Sequence, residues 1–234
     1  MQPLDNPKTF VDPQKIRVLD HGYVRLVDWM GNDLSIVRAA RVSYDAAWRT
    51  GEDQGSDKRL IKYLWKNKHT TPFEAVTFTF EVKAPIFVFR QWHRHRTFSY
   101  NELSARYREL PQEIYMPDFR AQSTKSKQGS EGFIDAETAD ILRSQVQNSY
   151  ETSFIVYRNA LEAGVAREVA RSVLPVATYS HMFCTANLLN LLKFLTLRCD
   201  SHAQHEIRVY ADAMRELVRP IVPECISAWE TSAT

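Results

Sequence analysis

The scarcity of glycine constrains this chain most. There are seven glycines in 234 residues, roughly half the usual share. None belongs to a G-x-G-x-x-G or a G-x-x-x-x-G-K-[ST] run, and the Rossmann and P-loop phosphate cradles need those glycines. Both architectures are therefore excluded as written, and any phosphate held here must be gripped largely by side chains. The order of elements agrees: alternating segments come early and helical ones later. That mixture predicts an α+β fold, an antiparallel sheet with packed helices, rather than a parallel α/β sheet.

Along the chain, residues 1–14 carry three prolines and predict an irregular leader. Residues 15–29 alternate about a His21-Gly22 turn and predict a hairpin. Helical spacing covers 34–44 and 58–65, with a polar loop at 50–56. Thr71-Pro72-Phe73-Glu74 has the form of a capping box opening a short helical turn. A strand is predicted at 75–82, stopped by Pro85, then a helix through Ile86–His95 with an apolar start and a cationic end. Residues 99–107 predict an ordered loop or short strand, and the glycine-containing stretch within 121–135 a mobile surface loop. A long helix spans 136–163, ended by Gly164, and a short one 167–173. Residues 176–185 are ambiguous, and 187–197 are helical. Asp200 or Ser201 is the expected cap of a last long helix reaching Arg219. Without repeats or a composition break, 1–234 reads as one domain.

The chain has 30 basic and 28 acidic residues, a net charge of +2, which does not suggest a nucleic-acid binder. The cations, however, are 20 Arg against 10 Lys, and arginine offers a planar fork suited to phosphate, carboxylate and uracil-like edges. Cys184, Cys199 and Cys225 form no C-x-x-C, so free buried thiols in a reducing cytosol are expected rather than a disulfide framework or zinc site. No signal core or run of 18 apolar residues occurs, which predicts a cytoplasmic protein with no membrane partner.

Chemistry concentrates in QWHRHRTFSYNELSARY, residues 91–107. Arg90, Arg94, Arg96, Arg106 and Arg108 fall within this neighbourhood, and Glu102 is the only acid between Arg90 and Arg108. A solvated charged face would interleave carboxylates for i,i+4 pairing. A ligand site for an anion, ion pairs between subunits and a solvated face remain open on the residues alone. Metal binding by His93 and His95 with His202 and His205 is disfavoured by the flanking Arg94 and Arg96, so no metal is expected. Ser104 suits phosphate contact better than nucleophilic attack in so cationic a setting. An alternative is a single-stranded nucleic-acid module using Trp92, Phe98, Tyr100 and Tyr107 as stacking platforms. Further on, Arg198 has a bland reading as a cap for the carbonyls ending its own helix.

Arg94-His95-Arg96, seven residues, then Ser104 resembles the R-H-R-x7-S signature of the flavin-dependent thymidylate synthases. The match extends through His69-Thr70-Thr71-Pro72-Phe73-Glu74, KAPIFV before Gln91, NELSARY at 101–107, REVAR at 167–171, Leu197-Arg198 and DSHAQ at 200–204. It covers about 69–107 and 164–210. The conventional thymidylate synthases use a cysteine followed by histidine, whereas these cysteines precede Thr185, Asp200 and Ile226. The resemblance implies a homotetramer with sites shared between subunits, the cofactor FAD, and NADPH and 5,10-methylenetetrahydrofolate as co-substrates for converting dUMP to dTMP. It assigns dUMP to Gln91, Trp92, His93, Arg94, Glu102, Leu103, Ser104, Ala105, Arg106, Arg171 and Arg198, with Arg198 the catalytic group facing the uracil. It assigns FAD to Thr71, Arg94, His95, Arg96, Glu102, Asn187, Leu188, Leu189, Lys193 and His202, and puts His69 near folate and flavin. Lys193 departs from the asparagine common in the family, and Ala75 from a histidine.

Overall fold

A computed structural model describes residues 15–233; the expected leader over 1–14 lies outside them. β1 (Lys15–Val18) and β2 (Gly22–Met30) form the expected hairpin. Its turn is carried by Leu19–His21, with Leu19 at a left-handed φ of 57°, while Gly22 already pairs with Val18. Gly22 is required there for space. A Cβ at that position would lie 2.0 Å from the Tyr210 hydroxyl and 2.6 Å from the Val18 carbonyl oxygen.

Two helices follow, α1 (Asp33–Arg41) and α2 (Gln54–Lys66). The second begins inside the expected polar loop because Asp53 caps it, its carboxylate accepting from the Ser56 amide. The Thr71–Ala75 turn is 3-10 and takes in Thr71, the expected cap, as its first residue; Thr70 flanks it instead, with no side-chain capping bond. β3 (Thr77–Pro85) then runs through Pro85, which pairs in register with Tyr179 instead of stopping the strand early. α3 (Ile86–Trp92) follows without a linker and ends three residues short of His95. The Tyr100 hydroxyl, 2.9 Å from the Trp92 carbonyl oxygen and 2.8 Å from that of His95, ties residues 93–95 into a turn.

β4 (Ser99–Glu102) and β7 (Tyr179–Asn187) complete a five-stranded sheet of order β1-β2-β3-β7-β4, antiparallel throughout. The ambiguous 176–185 stretch is thus a central strand. The fold is α+β with an antiparallel sheet, as expected. Residues 121–135 contain structure where a loop was expected. β5 (Arg120–Gln122) and β6 (Ser130–Phe133) form a small hairpin, held by Arg120 Nε donating to the Ser130 hydroxyl and by Gln122 Nε2 donating to the Ser126 and Gly129 carbonyls.

Helices α4 (Ala136–Glu162), α5 (Arg167–Ala170), α6 (Leu188–Arg198) and α7 (His205–Val218) match expectation within a few residues. The cap position of α7 is Gln204, which makes no side-chain capping bond; Asp200 instead accepts from the His202 amide within the preceding turn. α8 (Pro223–Ala233), unforeseen beyond Pro220, is capped by Asp33, whose carboxylate accepts from the Glu224 and Cys225 amides. One face of the sheet, Phe78, Phe80, Val82 and Ala84 of β3 with Met182, Cys184 and Ala186 of β7, is buried in a core shared with α6, α7 and α8. The strand alternation makes this possible, since every second side chain points to the same face.

Candidate functional site

β3 and β7 lie side by side and antiparallel, so α3 leaves from one end of the pair and α6 from the other. Nine-residue strands are about 30 Å long; α3 covers about 10 Å and α6 about 16 Å. Travelling back over the sheet, the two helices meet at their C-terminal ends. Trp92 stacks on Phe194 with ring centroids 5.0 Å apart, and His95 meets the same Phe194 edge-on at 4.8 Å.

Arg198, the last residue of α6, sits at this meeting point. Its Nε donates to His95 Nε2 at 3.0 Å, Nη2 to the Gln91 carbonyl oxygen at 3.3 Å, and Nη1 lies 3.5 Å from Gln91 Oε1. It therefore caps α3 rather than its own helix, and two helix C-termini favour its positive charge. His95 accepts at Nε2, so its proton is carried on Nδ1. Burial, and then the neighbouring Arg198 charge, push the imidazole down to about 4, keeping it neutral near pH 7. Burial also lowers Arg198 from its ordinary value. Among the described residues no carboxylate pairs with Arg198. A half-buried guanidinium with only neutral acceptors is electrostatically incomplete, and an electron-rich or anionic ligand would complete it.

A chain of amides continues from Gln91. Its Nε2 donates to Gln204 Oε1, and Gln204 Nε2 donates to Glu206 Oε2 at 2.8 Å. Glu206, 1% exposed, also accepts from Arg120 at 2.6 Å and from the Tyr115 hydroxyl at 3.1 Å. Burial acts to raise this carboxyl, but the bonds from Arg120, its own amide and Gln204 outweigh it and hold it below the usual range.

A second cluster lies along β4 and the turn after it. The Leu103 amide donates to the His181 carbonyl, and the Ser104 hydroxyl accepts from the Arg106 amide at 3.3 Å. Arg106 reaches the Glu168 carboxylate at 3.3 Å, and Arg171 Nε lies 3.4 Å from the Glu168 carbonyl. Ser104, Arg106 and Arg171 are thus brought together through Glu168 of α5, although 65 positions of sequence separate Arg106 from Arg171. The Arg106 ion pair is exposed, so it contributes little and is readily exchanged for another anion.

Arg94 and Arg96 are exposed and have no carboxylate partner among the described residues. Their guanidinium donors suit a phosphorylated cofactor, and FAD fits that chemistry; Asn187, whose side chain accepts from the Asn190 amide, stands at the start of α6.

The remaining expected site residues differ in burial and partners. Trp92 is fully buried in the ring cluster, so its side chain is a core element. Phe98 is buried too, and neither ring is free to stack a base. Leu188 is fully buried with its amide donating to the Val76 carbonyl, and Leu189 and Ala105 are nearly buried. His93 packs between Phe89 and Tyr100. Thr71, Glu102, Lys193 and His202 are exposed, His202 with Nδ1 2.9 Å from Asp200. His69 is exposed beside Tyr63. Sequence reasoning missed Gln204, Glu206, Arg120 and Tyr115. The signal was present: Glu206 is an acid on the buried stripe Ile207, Tyr210, Ala211 and Met214 of α7.

Residues 25–224 match the family model described as thymidylate synthase complementing protein, and the chain belongs to that family. A flavin-dependent thymidylate synthase of Thermus thermophilus is 50% identical over 220 residues, covering 93% of this chain and 79% of that protein. One from Thermosipho melanesiensis is 47% identical over 210 residues, covering 89% and 90%. Among solved structures, a UMP/dUMP methylase of Streptomyces cacaoi bound with 5-Br dUMP superposes with a TM-score of 0.84 at 37% identity, covering 92% of this chain and 97% of that one.

Proposed function

We propose that Gln91, His95 and Arg198, with Ser104, Arg106 and Arg171, form the site at which this flavin-dependent thymidylate synthase binds and methylates dUMP to give dTMP. The observation that carries the assignment is Arg198, half-buried and bonded only to neutral acceptors. When bound, FAD supplies the hydride, with electrons from NADPH, and methylenetetrahydrofolate supplies the carbon.

The protein's part follows from its own side chains. Arg106, Arg171 and the Ser104 hydroxyl hold the nucleotide phosphate, Arg106 exchanging Glu168 for it. Arg198 donates to a uracil carbonyl and stabilises negative charge on the ring, which draws electron density toward the oxygen and biases C5–C6. Neutral His95 orients the guanidinium. Arg94, Arg96 and Asn187 hold the flavin, and Thr71, Glu102, Lys193, His202 and His69 complete the flavin and folate surroundings.

We further read 1–234 as a single domain of a cytoplasmic homotetramer. Met30, Val42, Tyr44 and Trp48 are 62–87% exposed, an apolar surface of the kind that subunit contacts cover. The three cysteines are free, and among the described residues no helix is long and apolar enough to cross a membrane.

Titrating dUMP into the FAD-loaded protein, followed by flavin absorbance, tests the assignment. Arg106→Gln should weaken dUMP by roughly ten- to a hundredfold, the loss of one charge-assisted contact, with FAD affinity retained. Unchanged dUMP affinity would remove Arg106 from the site.

A further inference from the structure

The chain from Arg198 to Glu206 has a direction. An ionised carboxylate only accepts hydrogen bonds, so Gln204 must turn its NH2 toward Glu206, and it does at 2.8 Å. That leaves Gln204 Oε1 facing Gln91, which must in turn present its own NH2. The only end of Gln91 left for the site is then its carbonyl oxygen, and Oε1 does lie on the Arg198 side. Glu206 is fixed in turn by Arg120 and Tyr115, and it is almost wholly shut off from solvent. A buried charge with three partners is a firm anchor for polarity, whereas a lone exposed glutamine would rotate freely between its two ends.

We propose that Glu206, acting through Gln204, is a positioning residue that holds the Gln91 carbonyl oxygen toward Arg198 and so selects a pyrimidine whose N3 carries a proton. This rests on the reading above that Gln91 and Arg198 face the base. Uracil offers an N3–H donor between two carbonyl acceptors. Cytosine offers an N3 lone pair, which the Gln91 oxygen would repel. Arg198 supplies donors and Gln91 the acceptor, a pattern complementary to uracil. Site groups built to hydrogen-bond one partner reject an analogue that leaves them unpaired.

The test uses FAD-loaded wild type, Glu206→Gln, Gln204→Ala and Gln91→Ala, titrated with dUMP and with dCMP while flavin absorbance is followed. A glutamine at 206 can donate or accept, so the direction of the chain is lost; Gln204→Ala cuts the chain at an exposed position. Each should weaken dUMP by about five- to twentyfold and narrow the dUMP-to-dCMP preference at least fivefold, with FAD affinity kept. In the Gln91→Ala background, adding Gln204→Ala should change dUMP affinity less than twofold, because the amide it oriented is gone. If Glu206→Gln does not fold, with Arg120 left facing a neutral partner, Gln204→Ala decides alone. Wild-type dUMP-to-dCMP preference in the folded variants, or full additivity with Gln91→Ala, overturns the proposal. A wild type that binds no dUMP, or a Gln91→Ala protein that binds it normally, overturns the underlying site assignment instead, and the selection with it.

Discussion

Replacing Arg198 by methionine keeps most of the apolar stem and removes the guanidinium, and His95 reports the consequence. Its imidazole lies at about 4 in place of an ordinary 6.5, with burial the larger cause and Arg198 the smaller. Less than half of that fall therefore comes from the cation, so about one pH unit or less should return. His95 in the variant should titrate above its wild-type position and still well below 6.5. Histidine-selective NMR across pH 3–8 reads this directly, with His95→Gln identifying the resonance among seven histidines. The Nδ1–H tautomer should also weaken, because the 3.0 Å bond that makes Nε2 an acceptor is gone. An unchanged titration would mean that the two side chains do not meet. A return to about 6.5 would mean that the charge, not burial, sets the imidazole. The same variant should lose dUMP turnover more than FAD affinity.

The depressed His95 value also fixes a sign for stability. Between about 4 and 6.5 the unfolded chain binds the extra proton, so this residue makes stability rise with pH across that window, and His95→Gln should flatten the slope in denaturant titrations. Gly22→Ala places a methyl 2.0 Å from the Tyr210 hydroxyl; overpacking of this kind costs about 1–3 kcal/mol, so Tm should fall by several degrees, and an unchanged melt would refute the close approach. All three thiols are raised by burial, Cys199 to about 12. A thiol reagent at pH 8 should therefore label the native protein slowly, and rapid labelling of Cys184 or Cys225 would contradict their burial.

Much of this architecture was legible before any coordinates. The period-two alternation in 75–82 could only face one side of a sheet to the core, and the 3.6 period in 136–163 and 187–197 could only be helical. The 176–185 stretch was not legible, because a central strand buried on one face and half-covered on the other mixes Met182 and Cys184 with His181 and Thr185. Caps were misread where tertiary contacts took over: Asp200 turned to His202, and a helix end was closed from far away by Asp33. At the site, arginines without local acids pointed to a missing anion, but local pairing says nothing about distant partners such as Glu168. Trp92 shows the same limit. Gln91, the residue before it, meets Arg198, while one step around α3 the Trp92 ring is in the core. Glu206 was hidden for a related reason, since its partners Arg120 and Tyr115 come from a segment 86 and 91 residues away.

The direct passage from strand to helix at Pro85–Ile86 and at Asn187–Leu188 makes the site a matter of lengths. Two helices that start at opposite ends of one strand pair must together span it for Arg198 to reach Gln91 and His95. Adding or deleting one residue in β3, α3, β7 or α6 would move that contact by a residue's rise and rotate it off its face, with no intervening loop to absorb the error. The 120–133 hairpin, by contrast, has a tip at 123–129 where added residues would leave those lengths untouched. Length variation in proteins built this way should therefore gather at that tip and be nearly absent from 77–92 and 179–198.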